Sequence, residues 1–543
     1  MNTVRPRLRD RIAPPLILAA TAAFVFFFRL GERGFENKDT LWYVEIAWEM
    51  LRSGEWIVPR FNGVIFTEKP ILFIWLVGAS ARLCGGLTPF AARLPSALAA
   101  LGTVFVTLSL GIRLLGRRPA YLAAFALATA YAFAWEARVC MVDMVFTFLV
   151  TLALFLFARG VSAGGGRPRW FIAAYAASGL AALTKGPLGV VLPAVVALAY
   201  LAWGRRLNLA RGMRIPLGIL VVAGIQAAWY VPYLARIGPG GRGFFLEMYV
   251  YKENLLRFTS GFDKAEPFWF YAPAILTHFL PWSAVLVLYP LIPRRAGVEA
   301  PRDRAFPAAW FLSVLAFLSL AGGKHSRYAL PLYPAAALLV GDACDRVIAS
   351  GDSRMGRAAA AAVTICAAAG ALALPVFARF AAPRFFASSL LLSAALFCAA
   401  AAPLRARPAA KAAAAFAAVV VSFVCFWCVF IASLPSREAA RAENASLARQ
   451  LSPAVGDARL ATYGLFSRRL ALGFFMGRVV EYLGDPLHGD AGRPAAYLRS
   501  GGPVFCLMEA AEYEDLRPGL PPHRRVPGAY RYGKRDLALV ANR

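Results

Sequence analysis

The sequence predicts an all-α polytopic membrane protein of about 13 transmembrane helices, followed by a small α/β domain. Three observations predict it. Of the 543 residues, 59% are hydrophobic, more than a soluble core needs. Apolar stretches of about 17–25 residues recur from Ala13 to Leu434, each long enough to cross about 30 Å of hydrocarbon. From about Pro435 onward the composition turns mixed polar, with short strand-like runs.

The spans fall near residues 13–30, 90–115, 119–137, 139–159, 170–184, 186–203, 214–236, 268–291, 306–322, 327–348, 357–379, 385–403 and 411–434. The segment Pro70–Cys84 is apolar but only about 15 residues long and carries Arg82, so it suits either a short span or an interfacial helix. Arginine placement decides between them. If Pro70–Cys84 does not span, every strongly basic loop shares one side with the basic N-terminus. These loops hold Arg117 and Arg118, Arg159 to Arg169, Arg205 to Arg214, Arg294 to Arg304, Arg346 to Arg357, and Arg405 to Lys411. That side is then cytoplasmic. The expected domains are 1–434, with an external loop at 31–89 carrying interfacial helices, and an external α/β domain at 435–543. Its strands are expected at Arg459–Thr462, Arg478–Tyr482, Pro503–Met508 and Leu537–Val540, with a helix at Arg437–Leu451.

The net charge of +29 follows the loops and not a separate basic domain, which argues against nucleic acid. The eight cysteines lie mostly inside apolar stretches, and Cys425 and Cys428 read as small residues of a span, not a redox pair. Four dispersed histidines make no zinc motif. The basic, then apolar, N-terminus reads as a retained anchor, because no small-residue cleavage site precedes Gly31.

Polar residues that do not look like topology signals gather on the outer side. Asp39 opens an amphipathic helix with Tyr43, Ile46, Ala47, Met50 and Leu51 on one side and Glu45, Glu49 and Arg52 on the other. It is either an N-cap or a carboxylate held at the membrane surface. Glu68-Lys69 opens Pro70–Cys84, where the lysine and helix N-terminus suit a phosphate. Asp143 lies near the outer start of a span, after Glu136 and Arg138. An acid there faces a polar cavity or a partner such as Arg138. Lys185, Lys324, Arg327, Lys252 and Arg257 are external bases against the topological trend. Glu253 and Asn254 sit among them. Such a set suits an anionic ligand.

The ordered motifs are D-x(6)-A-x-E-M-L-x-S-G-x-W-x-V-P-R-x-N-G…E-K-P (Asp39–Pro70), R-L-P-S (Arg93–Ser96), L-T-K-G-P (Leu183–Pro187), E-N-x-x-R-F (Glu253–Phe258), F-L-P-W (Phe279–Trp282) and G-K-x-x-x-Y-x-L-P (Gly323–Pro331), within a resemblance that covers about residues 13–350. The chain resembles the bacterial membrane glycosyltransferases of the GT-C class, whose relatives are the protein O-mannosyltransferases and the lipid A aminoarabinose transferase. The resemblance implies a polyprenyl-phosphate-linked sugar donor and a reaction outside the bacterial cytoplasmic (inner) membrane. The acceptor would be a hydroxyl or phosphate of a glycolipid, glycan or protein. It also implies catalytic acids at Asp39 and Asp143, phosphate contacts at Lys69 and Tyr328, and the basic loop position at Arg257. Lys185 and Lys324 add candidate phosphate contacts.

The chain departs from the aminoarabinose transferase at two places. Asp39-Thr40-Leu41-Trp42 stands where that enzyme has Asp-Glu-Thr-Arg. Asn254 stands where it has a metal-associated histidine, which leaves Glu68 as the candidate ligand of a divalent metal. The competing readings are a lipid-linked sugar flippase, which predicts ionisable residues near the membrane middle and repeated halves, and a homologue without catalysis.

Overall fold

A computed structural model describes residues 8–35, 38–162, 167–259, 266–292, 304–350, 408–433, 443–464, 470–484 and 490–542, with isolated positions between 375 and 393. The expected spans at 357–379 and 385–403 lie largely outside the described residues. The chain forms two compact units. One comprises Met1–Leu30, Arg93–Val231 and Leu246–Leu434, and the other Gly31–Ala92, Pro232–Phe245 and Pro435–Arg543.

The first unit is helical. Its chain runs through α1 (Leu8–Phe27), then, past the first loop with α2 (Lys38–Ser53) and α3 (Leu72–Leu83), into α4 (Pro89–Leu114), α5 (Arg117–Ala128), α6 (Tyr131–Glu136) and α7 (Val142–Ser162). After these come α8 (Pro168–Lys185), α9 (Leu188–Trp203) and α10 (Ile215–Arg236), then, past α11 (Gly238–Phe245) of the other unit, a π-helical segment, Leu246–Leu256. The unit closes with α12 (Tyr271–His278), α13 (Ser283–Leu288), α14 (Ala305–Leu320), a 3-10 turn at Ser326–Leu332, α15 (Tyr333–Ser350) and α16 (Pro408–Ser433). Pro89–Leu114, Val142–Ser162, Ile215–Arg236 and Ala413–Ala432 are long and apolar enough to cross a membrane. The protein is a helical, multi-pass membrane protein.

Two expected spans are interrupted. Residues 119–137 form α5 and α6, and residues 268–291 form α12 and α13. Backbone groups freed inside a bilayer cost several kcal/mol each unless they find partners. Here the two breaks satisfy one another: Tyr131 N–H donates to the Leu280 carbonyl at 2.9 Å, and Trp282 Nε1 donates to Thr129 Oγ1 at 3.0 Å. The F-L-P-W motif thus serves as the partner of a break about 150 residues away in sequence. Arg138 does not face solvent; it donates to the carbonyls of Val25 (3.2 Å), Phe26 (3.0 Å) and Phe28 (2.6 Å) at the end of α1.

The second unit joins the first loop to the C-terminal residues. Helix α2 is followed by a two-residue hairpin, β1 (Arg60–Phe61) and β2 (Val64–Ile65), turning at Asn62-Gly63, both at positive φ. Asn-Gly is the pair such a turn favours. Helix α3 has 12 residues and rises about 18 Å, short of the roughly 30 Å hydrocarbon core. Trp75 on α3 donates to the Trp56 carbonyl at 2.6 Å, which ties it to the loop.

The C-terminal part is a mixed sheet. Its strands are β3 (Arg459–Thr462), β4 (Glu481–Tyr482), β5 (Val504–Glu509), β6 (Arg524–Arg525), β7 (Tyr530–Tyr532) and β8 (Arg535–Ala541), in the order β4-β3-β5-β8-β6 with β7 also on β8. Strand β3 runs parallel to β4 and β5, and β8 antiparallel to β5. Alternate residues feed two cores. Leu460, Leu507 and Leu539 meet Leu447 and Leu451 of α17 (Glu443–Val455). Ala461, Cys506 and Met508 meet Leu498 and Tyr513, of α19 (Arg493–Leu498) and α20 (Ala510–Leu516). A short helix, α18 (Leu472–Met476), lies between β3 and β4 in sequence. Of the helix expected at Arg437–Leu451, residues 437–442 lie outside the described residues, and the rest runs on to Val455.

Candidate active site

The helical unit brings together residues from three distant motifs. Asp143 lies in the first turn of α7 and Lys185 in the last turn of α8. A helix N-terminus favours an anion and a C-terminus a cation, so each side chain suits its helix end. The two helices pack against one another, and Lys185 Nζ pairs with Asp143 Oδ1. Both are nearly buried, with 11% and 3% of their side chains exposed. Lys185 Nζ also lies 4.2 Å from the centroid of the Tyr328 ring and 5.4 Å from that of Phe146, within cation–π range. Arg327 and His325, on the same segment as Tyr328, add to the electrostatic field at Asp143.

A backbone device holds Lys185. Helix α8 stops because Gly186 adopts φ +88° and Pro187 follows. A Cβ at Gly186 would come 2.9 Å from Tyr249 Oη and 3.1 Å from Asn254 Oδ1. The π-helical segment therefore sits directly on this turn, and Asn254 Nδ2 donates to the Tyr249 carbonyl at 2.6 Å within it. Glu253 is half-buried on the same segment and bears electrostatically on Tyr249. Lys324 is buried, and its ammonium donates to the carbonyls of Glu266 (2.9 Å) and Ala321. The side chain of Arg257 lies outside the described residues.

In the second unit, Asp39 falls in the first turn of α2, with its side chain outside the described residues. Glu68 and Lys69 are half-buried, just before α3, and both are engaged in interactions. Among the described residues, no three His, Cys, Asp or Glu side chains gather in a way that could hold a metal. Asn254, at the position of the expected histidine, is instead committed to the Tyr249 backbone.

Residues 68–230 match the family model described as dolichyl-phosphate-mannose-protein mannosyltransferase. The chain is 33% identical over 355 residues to an undecaprenyl phosphate-α-4-amino-4-deoxy-L-arabinose arabinosyl transferase of Pseudomonas fluorescens, a match covering 63% of this chain and 59% of that protein. It is 32% identical to the transferase of that name from Pseudomonas aeruginosa, over 62% of this chain and 60% of that one. It thus spans about three fifths of the curated relatives it matches. Among solved structures, ArnT from Cupriavidus metallidurans bound to undecaprenyl phosphate superposes with a TM-score of 0.76 at 25% identity, over 97% of this chain and 98% of that one.

The chain shares the fold of ArnT.

The likeness extends, as fold alone, to the archaeal oligosaccharyltransferase AglB of Archaeoglobus fulgidus, with a TM-score of 0.53 at 13% identity over 93% of this chain and 70% of that one. In this chain the partner of Asp143 is Lys185, where the sequence had offered Arg138. Nothing local signals that pairing, since 42 positions separate the two residues. Phe146 and His325 also join the cluster unannounced. Phe146 was hidden by its apolar character within a span, whereas His325 stood inside the G-K-H-S-R-Y motif.

Proposed function

We propose that this chain is an integral membrane glycosyltransferase that moves a sugar from a polyprenyl-phosphate donor to a hydroxyl or phosphate of a glycolipid, glycan or protein. The reaction is placed at the periplasmic face of the bacterial inner membrane, reached by about 13 spans within residues 1–434. Residues 31–89 form the external loop, and residues 435–543 a periplasmic domain. The observation that carries this reading is the nearly buried Asp143–Lys185 pair beside Tyr328, in a fold shared with a protein solved with undecaprenyl phosphate.

In this reading Asp39 accepts the proton of the acceptor hydroxyl as its oxygen bonds to the anomeric carbon. The bond from that carbon to the phosphate oxygen breaks, and its electron pair leaves with the polyprenyl phosphate. A phosphate acceptor attacks through an oxygen that is already ionised. Single displacement inverts the anomeric centre. Lys69 and Arg257 stabilise the charge on the departing phosphate. An ammonium has three donors, so Lys185 keeps two after meeting Asp143, and Tyr328 donates through its hydroxyl. Asp143 orients Lys185, and Lys324 adds positive charge near the same segment. Glu68, Glu253 and Asn254 serve the acceptor side.

The relatives' names make undecaprenyl phosphate-α-4-amino-4-deoxy-L-arabinose the first donor to test, and the resemblance to the lipid A aminoarabinose transferase makes lipid A the first acceptor. The purified chain should add one sugar mass to the acceptor and release undecaprenyl phosphate. Movement of the donor across a vesicle membrane with no transfer product would mark a flippase and overturn the proposal.

A further inference from the structure

The two glutamates on the polar side of α2 are not solvated. Glu45 is 0% exposed and Glu49 6%, one helical turn apart. Glu45 Oε2 accepts from the backbone N–H of Phe474 in α18 at 2.8 Å, while its Oε1 is buried without a partner. Gly473 is what allows this approach: a Cβ there would stand 2.1 Å from Glu45 Oε1. Both oxygens of Glu49 accept from Gly63 N–H, at 3.2 Å each, in the β1–β2 turn. That turn is itself fixed to the C-terminal domain. Asn62 Nδ2 donates to the Leu470 carbonyl at 2.9 Å, and Asn62 accepts from Tyr482 N–H at 3.1 Å. Arg52, one turn further along α2, donates to the Gly477 carbonyl. Four residues of α2 and its hairpin thus hold main-chain groups, three of them across more than 400 positions of sequence.

We infer that Glu45 is a positioning residue for the transfer reaction: through its carboxyl, the Gly473–Phe474 backbone of the C-terminal domain sets the placement of α2 and hence of Asp39 in its first turn. This rests on the reading of Asp39 as the base. Glu45 lies six residues beyond Asp39, about 9 Å along the helix axis, so a shift at one is transmitted rigidly to the other.

The contact is pH-dependent. Burial pushes the Glu45 carboxyl up to about 8, against the Phe474 hydrogen bond, and the Glu49 charge adds to the rise. Burial pushes Glu49 up to about 7, against hydrogen bonds from Gly63 and Asn62 and the charge of Arg60. Helix α18 (Leu-Gly-Phe-Phe-Met) presents no titratable side chain. Arg478, which follows it, donates to the carbonyls of Ala458 and Gly456. Both folded values lie above the free value of 4.5, so the contact is complete below that pH and is lost as pH rises through about 7 and about 8.

The test is hydrogen exchange of the full chain in detergent, at pH 6 and pH 9, corrected for intrinsic rates. Protection of the α2 amides from Trp42 to Glu45, the first that donate within the helix, and of Phe474 should fall about tenfold or more in the wild type between the two pH values. Glu45→Gln, which mimics the neutral carboxyl, should hold its protection at both. Glu45→Ala should be unprotected at both. With the aminoarabinose donor and lipid A, Glu45→Ala should lower kcat about tenfold with donor KM within about twofold, and Glu45→Gln should keep kcat at pH 7. Wild-type protection in Glu45→Ala overturns the inference, as does altered protection with unchanged kcat. Asp39→Asn run beside them separates the two readings. Full turnover there sinks the base assignment, while the exchange result still decides whether the C-terminal domain holds α2.

Discussion

Lys185, at the end of one helix, is paired with Asp143, at the start of the helix before it, with the Tyr328 ring 4.2 Å from the same ammonium. Each charge has its partner and its helix terminus, so neither is left alone in an apolar surrounding. Removing one partner strands the other, at a cost of about 3–5 kcal/mol. Asp143→Ala and Lys185→Met should each lower the unfolding temperature in detergent markedly. The double variant should be more stable than either single one. Additive losses would show that the two charges do not depend on each other.

Tyr328 has two separable contributions. Tyr328→Phe keeps the ring over Lys185 and loses only the hydroxyl, so thermal stability should stay near wild type while donor KM rises. Tyr328→Ala also loses the cation–π contact, worth about 0.5–2 kcal/mol, and should lower stability as well. Equal donor KM in wild type and Tyr328→Phe would remove the hydroxyl from phosphate binding.

Gly186 is conformationally demanding and crowded at once. Gly186→Ala places a methyl group in a left-handed conformation and against Tyr249 and Asn254. A cost above about 1 kcal/mol is expected. The segment carrying Tyr249 should also be displaced, read as faster limited proteolysis within residues 246–259. Unchanged proteolysis with unchanged stability would mean that this segment does not rest on the turn.

Asp39→Asn should reduce transfer by about 100-fold or more, as loss of a general base does, with donor KM changed far less. Glu68→Gln and Asp143→Asn, measured in parallel, reveal whether another acid is the base. Turnover of Asp39→Asn near the wild-type value would transfer that role elsewhere.

Glu49→Gln has a signed pH effect. The wild-type carboxyl is held near 7 in the folded chain against 4.5 when free, so it opposes folding of this unit progressively from pH 4.5 upward and fully above about 7. The amide carries no such penalty and its oxygen still accepts from Gly63. The variant should match wild type at pH 4 and be more stable at pH 8, by up to about 3 kcal/mol. The check is denaturation at the two pH values, following a C-terminal-domain signal.

Much of the site was legible because membrane sequences separate charge from apolar residues so sharply. Asp143 and Lys185 stood out as polar residues near span ends, Tyr328 was implied by the family resemblance, and the structure gathers all three. Their partnership was not legible, because the choice of Lys185 over the nearby Arg138 depends on which helices pack. Arg138 is drawn instead to the carbonyls that end α1. The interruptions at Thr129–Ala130 and Phe279–Trp282 were read as continuous spans for the same reason. Hydropathy registers the apolar length, but not that one break can supply the hydrogen bonds of the other.

The loop at 36–70 marks the division most clearly. Sequence alone determined that this is a helical membrane chain and that α2 is amphipathic. These depend on composition, local spacing and chain length, which are properties of contiguous residues. Only the tertiary structure decided what the polar side of α2 faces. Glu45 and Glu49 carry the pattern of a solvated face, yet they are buried against backbone N–H groups, Glu45's coming from a domain more than 400 residues away. The physical reason is that a main-chain donor leaves no mark in side-chain identity. A carboxyl that meets water and one that meets Phe474 N–H are written with the same residue.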